Sequence, residues 1–185
     1  MKRDNNLRDR IVEVALDIVE AQGLKALTQP RLARQAGLRQ SHLTYYFPRK
    51  VDLLAALLAG SHKRAMRRNP DRTGDILDIL QSLIRDPGRM RFFLGLVLEL
   101  GEEAEPRDLL AAHMRELTQG VAAYFGRSAQ DPLVLAFIDQ ARGFGIRLLI
   151  DSPTGEEIDL RKLARDMGLS SDPAAPGFPE AISLK

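Results

Sequence analysis

Between Leu27 and Lys50 the chain reads LTQPRLARQAGLRQSHLTYYFPRK, a run of amide, hydroxyl, phenol and basic side chains with no acid between Arg31 and Lys50. Such groups hydrogen-bond polar edges and neutralise phosphate; they hold a polar or anionic partner rather than break bonds. The backbone that must position them is legible in the same residues. Thr28 can cap a helix starting at Gln29, and Pro30 is tolerated in a first turn that lacks partners for its N–H groups. Leu32, Ala33 and Ala36 share one face, and Gly37 ends the helix in a left-handed position. Leu38 follows as an apolar plug. A second short helix then runs from about Gln40 to Tyr46, with Leu43 and Phe47 on its apolar side and Pro48 as its stop. With Leu43 inward, Ser41, Thr44 and Tyr45 point out, and Gln40 and His42 lie at the edges. Two helices so joined form a helix-turn-helix pattern, whose second helix enters the major groove of DNA. A helical hairpin with a solvated face is the competing reading. The acid-free outward face and flanking bases favour DNA.

Charge is distributed in the same sense. The 185 residues carry a net charge of only +2. Residues 1–68 hold 14 Lys+Arg against 6 Asp+Glu, and the remainder 13 against 19. The head is thus +8 and the rest −6, as expected of a phosphate-binding head on a body that binds none. With 44% hydrophobic residues the chain can bury a sizeable core. Cys is absent, which excludes disulfides, thiolate metal sites and a Cys nucleophile. The N-terminus shows no signal-peptide pattern, and no apolar run approaches the ~20 residues of a membrane span. A cytoplasmic location is expected.

Helical periodicity extends through the chain, without strand alternation or internal repeats. Leu7–Ala21 carries the stripe Leu7, Ile11, Val14, Ala15, Ile18 and Val19. A long helix over 49–67 starts in the head and connects it to the next unit. Asn69–Gly74 reads as a boundary. Helices then follow over 75–85, 89–103, 107–125, 132–150 and 156–167, the second of them expected to be buried on most sides. The fold class is all-α: an N-terminal three-helix helix-turn-helix domain, residues 1–50, and a C-terminal helical bundle, residues 51–168, about nine helices in all. The proline-rich tail, 169–185, is expected to be unstructured.

Residues 7–58 resemble the DNA-binding head of the TetR family of bacterial transcription regulators. The matching pieces fall in order: Gly23 to Thr28, Leu32-Ala33-Arg34-Gln35-Ala36-Gly37, Tyr45-Tyr46-Phe47 and Lys50-Val51-Asp52-Leu53-Leu54. The resemblance implies that Thr28 and Gln29 hold backbone phosphate, that Gln40, Ser41 and Thr44 face bases, and that Tyr45, Tyr46 and Lys50 face phosphates. His42 lies at the edge of that surface. Three positions depart from the family pattern. Arg39 stands where a Ser cap is common, Thr44 where an aromatic is common, and Tyr46 where His is common. Arg39 would add a phosphate or guanine contact. The resemblance also implies a ligand-responsive repressor that binds a palindromic operator as a homodimer. Effector, operator and regulated genes cannot be named from it.

Outside the head, Glu99 and His113 are candidate polar groups of a small-molecule pocket, with Phe93, Leu117 and Phe137 as apolar walls; aromatics in such a pattern are more often core than pocket. His62 is expected at the surface. Pro132–Ile150, with Glu156–Met167, is the expected dimer interface. Leu135, Ile138, Asp139 and Arg142 lie along the first helix, and Gly145 allows close approach. An enzyme is the opposing hypothesis. The three histidines lack partners at metal spacing, and the chain shows neither a glycine-rich phosphate loop nor a nucleophile elbow. No metal or cofactor is expected. A helical interaction or small-molecule-binding module that no longer binds DNA is a third class, disfavoured by the +8 head.

Overall fold

The computed structural model describes residues 2–68, 75–100, 103–151 and 159–170. Among these the chain forms nine α-helices and one short 3-10 turn, with no strand. The helices are α1 (Lys2–Gln22), α2 (Gln29–Ala36), α3 (Gln40–Tyr46), α4 (Lys50–Arg68), α5 (Ile76–Arg85), α6 (Pro87–Leu100), α7 (Ala104–Tyr124), α8 (Pro132–Ile150) and α9 (Leu160–Asp166); the 3-10 turn, Leu24–Ala26, lies between α1 and α2. The boundary expected over 69–74 lies outside the described residues, as do 152–158 and 171–185.

Contacts divide the chain into two compact units, and the division differs from the expected cut at residue 50. Of the described residues, the first unit takes those up to Arg64 together with those of 91–110; the second takes Ala65–Met90 and those from Ala111 to Ser170. The head therefore includes most of α4 and a stretch from α6 and α7. Sequence order hides this, because 91–110 is remote from the helix-turn-helix in the chain.

The first unit has a continuous apolar core. Ile11, Ala15, Leu16 and Val19 of α1 pack with Leu32 of α2, Leu43 of α3, Leu57 and Leu58 of α4, and Phe92 and Leu96 of α6. Helices α1 and α4 approach closely at Gly60, where a Cβ would meet Val12 Cγ1 at 2.5 Å. Arg64 fixes the same pair of helices electrostatically. Its buried guanidinium donates to Glu13 at 2.6 Å and pairs with Asp17 at 2.9 Å and Glu20 at 3.1 Å. Burial opposes its charge, but Glu13 and Glu20 raise its pKa above the ordinary arginine value. His62, expected at the surface, is buried instead.

The second unit packs α5, α8 and α9 with the end of α7. Its core holds Leu80, Ile84, Leu117, Val121, Phe137, Ile138, Leu160 and Leu169. Phe125 meets Phe137 edge to face at 5.5 Å. Asp75 caps α5 by accepting from Leu77 and Asp78 N–H, both at 3.0 Å, and Arg161 reaches back to its carboxylate at 2.8 Å. Asp86 separates α5 from α6 and accepts from the N–H of Arg89 at 2.8 Å. The expected tail begins too early at 169. Leu169 is 2% exposed, and its N–H donates to Ala164 C=O at 2.8 Å, closing α9 behind the left-handed Gly168. Helix α6 also departs from expectation near its end, where Leu98 is 81% exposed.

His113 lies in this second unit and is 1% exposed. Burial, reinforced by the positive charges of Arg89 and Arg142, pushes its pKa down to about 4. Arg89 is pushed down to about 10 by burial and by Arg142. The imidazole is therefore neutral at pH 7.

Two outcomes follow from this packing. Gly60→Ala should destabilise the protein by about 1–3 kcal/mol, because β-branched Val12 cannot yield without shifting α1; an unchanged urea midpoint would contradict the close approach. The folded state refuses a proton at His113 that the unfolded state accepts below its ordinary pKa of 6.5. Stability should therefore fall as pH drops from about 6.5 to about 4, by up to about 3 kcal/mol from this group. The expected measurement is a smaller pH dependence over that window in His113→Gln than in the wild type.

Candidate nucleic-acid interface

Local chemistry builds the helix-turn-helix as its residues require. Thr28 is extended at φ −108°, and its hydroxyl accepts from the N–H of Arg31 at 3.4 Å. Gly37 closes α2 at φ 68°, a left-handed conformation that costs glycine no Cβ clash. The N–H of Leu38 then donates to Ala33 C=O at 2.8 Å, so the turn folds back under α2. Helix α3 starts at Arg39 with no side-chain cap. The common Ser cap is absent there, and the Arg39 side chain is exposed.

Leu43 and Phe47 anchor α3 at 3% and 4% exposure, and half-buried Tyr46 packs against the same core. Arg8 of α1 lies over the Phe47 ring at 5.1 Å. The remaining side chains of α3 face outward. Gln40, Ser41, His42, Thr44 and Tyr45 are exposed, and Tyr46 is half-buried, meeting Tyr45 edge to face at 5.1 Å. Gln40 donates to the Gln29 carbonyl at 3.1 Å, joining the N-termini of α3 and α2 on one surface. Thr28 and Gln29 are exposed on that surface too. All the expected DNA-facing residues of α2 and α3 thus reach solvent.

Lys50 opens α4 at the edge of this region. Its Nζ pairs with Glu103 at 2.8 and 3.0 Å. Its neighbour Arg49 pairs with Asp52 at 2.6 Å, and Asp52 also accepts the N–H of Arg49 at 3.1 Å, capping α4. Glu105 lies 3.9 Å from Arg49. These pairs are solvent-exposed, and such pairs contribute about 0–1 kcal/mol. Phosphate can replace the carboxylates at little cost.

A cavity of about 410 Å³ lies within the first unit, behind α2. Leu24, Leu27, Leu32, Leu53 and Leu54 form its apolar walls; Lys25, Thr28, Gln29, Lys50 and Glu99 supply its polar groups. The sequence signalled only Glu99 as a pocket group. The other walls come from two separated stretches, 24–32 and 50–54, that acquire a common cavity with Glu99 only on folding.

The remaining candidate pocket residues separate. Phe93 is half-buried against the core of the first unit. Leu117 and Phe137 are core residues of the second, and His113 is buried there with the nearby charges of Arg89 and Arg142. The candidate interface residues of α8 also divide. Ile138 is 1% exposed within its own unit, and at Gly145 a Cβ would meet Met90 Cε at 2.7 Å in the same chain. Both serve internal packing. Leu135 and Asp139 face outward with Ile146, and half-buried Arg142 pairs with Asp139 at 3.1 Å. Of the helix expected over 156–167, residues 156–158 lie outside the described residues; Leu160 and Ala164 of α9 are buried in the second unit. Among the described residues there is no cluster of three or more His, Asp or Glu placed to hold a metal, and no helix long and apolar enough to cross a membrane.

Comparison with known proteins bears on this head directly. Residues 11–57 match the family model for bacterial regulatory proteins of the tetR family. Over 65 residues, 35% of this chain, the sequence is 34% identical to the HTH-type transcriptional regulator SrpR of Pseudomonas putida and, equally, to TtgW, an uncharacterised HTH-type transcriptional regulator of the same species. The matched stretch spans 30% of SrpR and 48% of TtgW, less than half the length of either relative. The fold is similar over a greater length. A TetR-family transcriptional regulator from Rhodococcus sp. superimposes with a TM-score of 0.61 at 21% identity, covering 88% of this chain and 95% of that one. A transcriptional regulator from Saccharomonospora viridis, solved in complex with choline, gives 0.57 at 19% identity, covering 89% and 94%. The outward polar face of α3, the order of the motif pieces and the match over 11–57 converge on a head similar to that of the bacterial regulatory proteins of the tetR family.

Proposed function

We propose that this protein is a transcriptional regulator that binds duplex DNA through α2, α3 and the start of α4. The observation that carries the reading is the exposed, acid-free face of α3, held outward by Leu43 and Phe47. Gln40, Ser41 and Thr44 read base edges. His42 lies at the edge of that set. Thr28, Gln29, Tyr45, Tyr46 and Lys50 hold the phosphate backbone, and Arg39, free of a capping role, adds a phosphate or guanine contact. The protein is not an enzyme in this reading, and it works in the cytoplasm.

Two further elements belong to the proposal. The protein acts as a homodimer on a palindromic operator, since one seven-residue reading helix touches only a few base pairs. Exposed Leu135, Asp139 and Ile146, with Arg142 between them, lie at helical spacing along α8 and suit a two-fold contact. It also responds as a repressor to a small molecule held in the second unit near His113. The positive charges of Arg89 and Arg142 around that imidazole favour a neutral or anionic molecule over a cation such as the choline bound by the Saccharomonospora protein.

Selection of bound duplexes from a random pool, followed by titration, tests the DNA reading. Affinity for the selected duplex should fall steeply with salt, and Arg39→Ala or Lys50→Ala should weaken it about tenfold. Recovery of no sequence, or salt-independent binding, would reject it. Sedimentation at micromolar concentration tests the dimer: the wild type should sediment at twice the chain mass, and Leu135→Glu/Ile146→Glu at the monomer mass. A wild-type monomer would overturn the α8 assignment.

A further inference from the structure

The cavity behind α2 is distinct from the effector site assigned to the second unit, and it opens among groups that DNA binding uses. Three positive features meet there: Lys25, Lys50 and the N-terminal backbone of α2 at Thr28 and Gln29. One carboxylate, Glu99, opposes them. Among the described residues Lys25 and Glu99 form no ion pair, while Lys50 is held by Glu103 in an exchangeable, half-exposed contact. Leucine side chains supply the rest of the wall, and the volume of about 410 Å³ falls in the range of ordinary ligand pockets.

We propose that this cavity binds a small amphiphilic anion, an alkyl or aryl carboxylate, with its apolar body among the leucines and its carboxylate on Lys25 and Lys50. Its consequence rests on the DNA-binding reading; the binding itself does not. A carboxylate seated on Lys50 removes that cation from phosphate, and its charge lies beside the Thr28–Gln29 end of α2, where a second anion would be repelled. Ligand and DNA therefore compete for the same groups. No rearrangement between the two units is needed, unlike an effector held in the second unit.

Calorimetric titration of decanoate, below its micelle concentration, into the full-length DNA-free protein tests the site, with decyltrimethylammonium as a cation of equal chain length. Decanoate should bind once per chain and more tightly than the cation. Leu53→Trp, which fills the cavity without altering a DNA-facing residue, should weaken it at least tenfold. Exposed Glu99→Gln, which does not depend on repacking, should strengthen it several-fold. Decanoate affinity unchanged by both substitutions, or tighter binding of the cation that is lost in Glu99→Gln, would overturn the proposal. With the selected duplex present, decanoate should lower DNA affinity in the wild type but not in Leu53→Trp. A protein that takes decanoate but no duplex leaves the cavity assignment standing and removes the regulatory one; a protein that binds duplex but no decanoate overturns the cavity proposal and leaves the DNA-binding reading standing.

Discussion

The head depends on one constraint: a helix of seven residues cannot stand alone, and α3 buries itself chiefly through Leu43 and Phe47. Each side chain contributes about 1.5–3 kcal/mol when removed from water. Those two contacts fix the rotation of α3 about its axis. Once they are inside, Ser41, Thr44 and Tyr45 must be outside. The polar face thus follows from the apolar one. The core shared by α1, α2 and α4 receives those side chains, and α1 is itself held to α4 at Gly60 and through the Arg64 cluster.

Charge in the same unit is arranged as a contest. Lys50 lies where a phosphate contact is expected, with Arg49 beside it, yet Asp52, Glu103 and Glu105 already attend the two cations. Because these pairs are exposed they hold their cations weakly. They nonetheless lower the net gain when phosphate arrives, and so moderate non-specific affinity, which is almost wholly electrostatic. Glu103 and Glu105 come from the α6–α7 segment, so these cations are paired by residues remote in sequence.

The fold and the exposed polar face of α3 were legible because local chemistry dictates both. Thr28, Pro30, Gly37 and the Leu43/Phe47 pair each determine a local feature within a few residues, and helical periodicity marks the other elements. What was not legible depends on long-range contact. Assignment of 91–110 to the head, the burial of His62 and the packing of Leu169 follow from partners far away in the chain. The same holds for α8. Its many apolar residues exceed what one face can bury, but only packing shows that Ile138 and Gly145 turn inward while Leu135 and Ile146 turn out. The cavity behind α2 was invisible for the same reason, although Glu99 stood out as a charge on an otherwise apolar helix.

The most direct test of the central claim is hydrogen–deuterium exchange of the full chain with and without its selected duplex. DNA-induced protection should centre on residues 28–50, with α5 and α9 unchanged. Protection of α5 or α9 with residues 28–50 unaffected would contradict it.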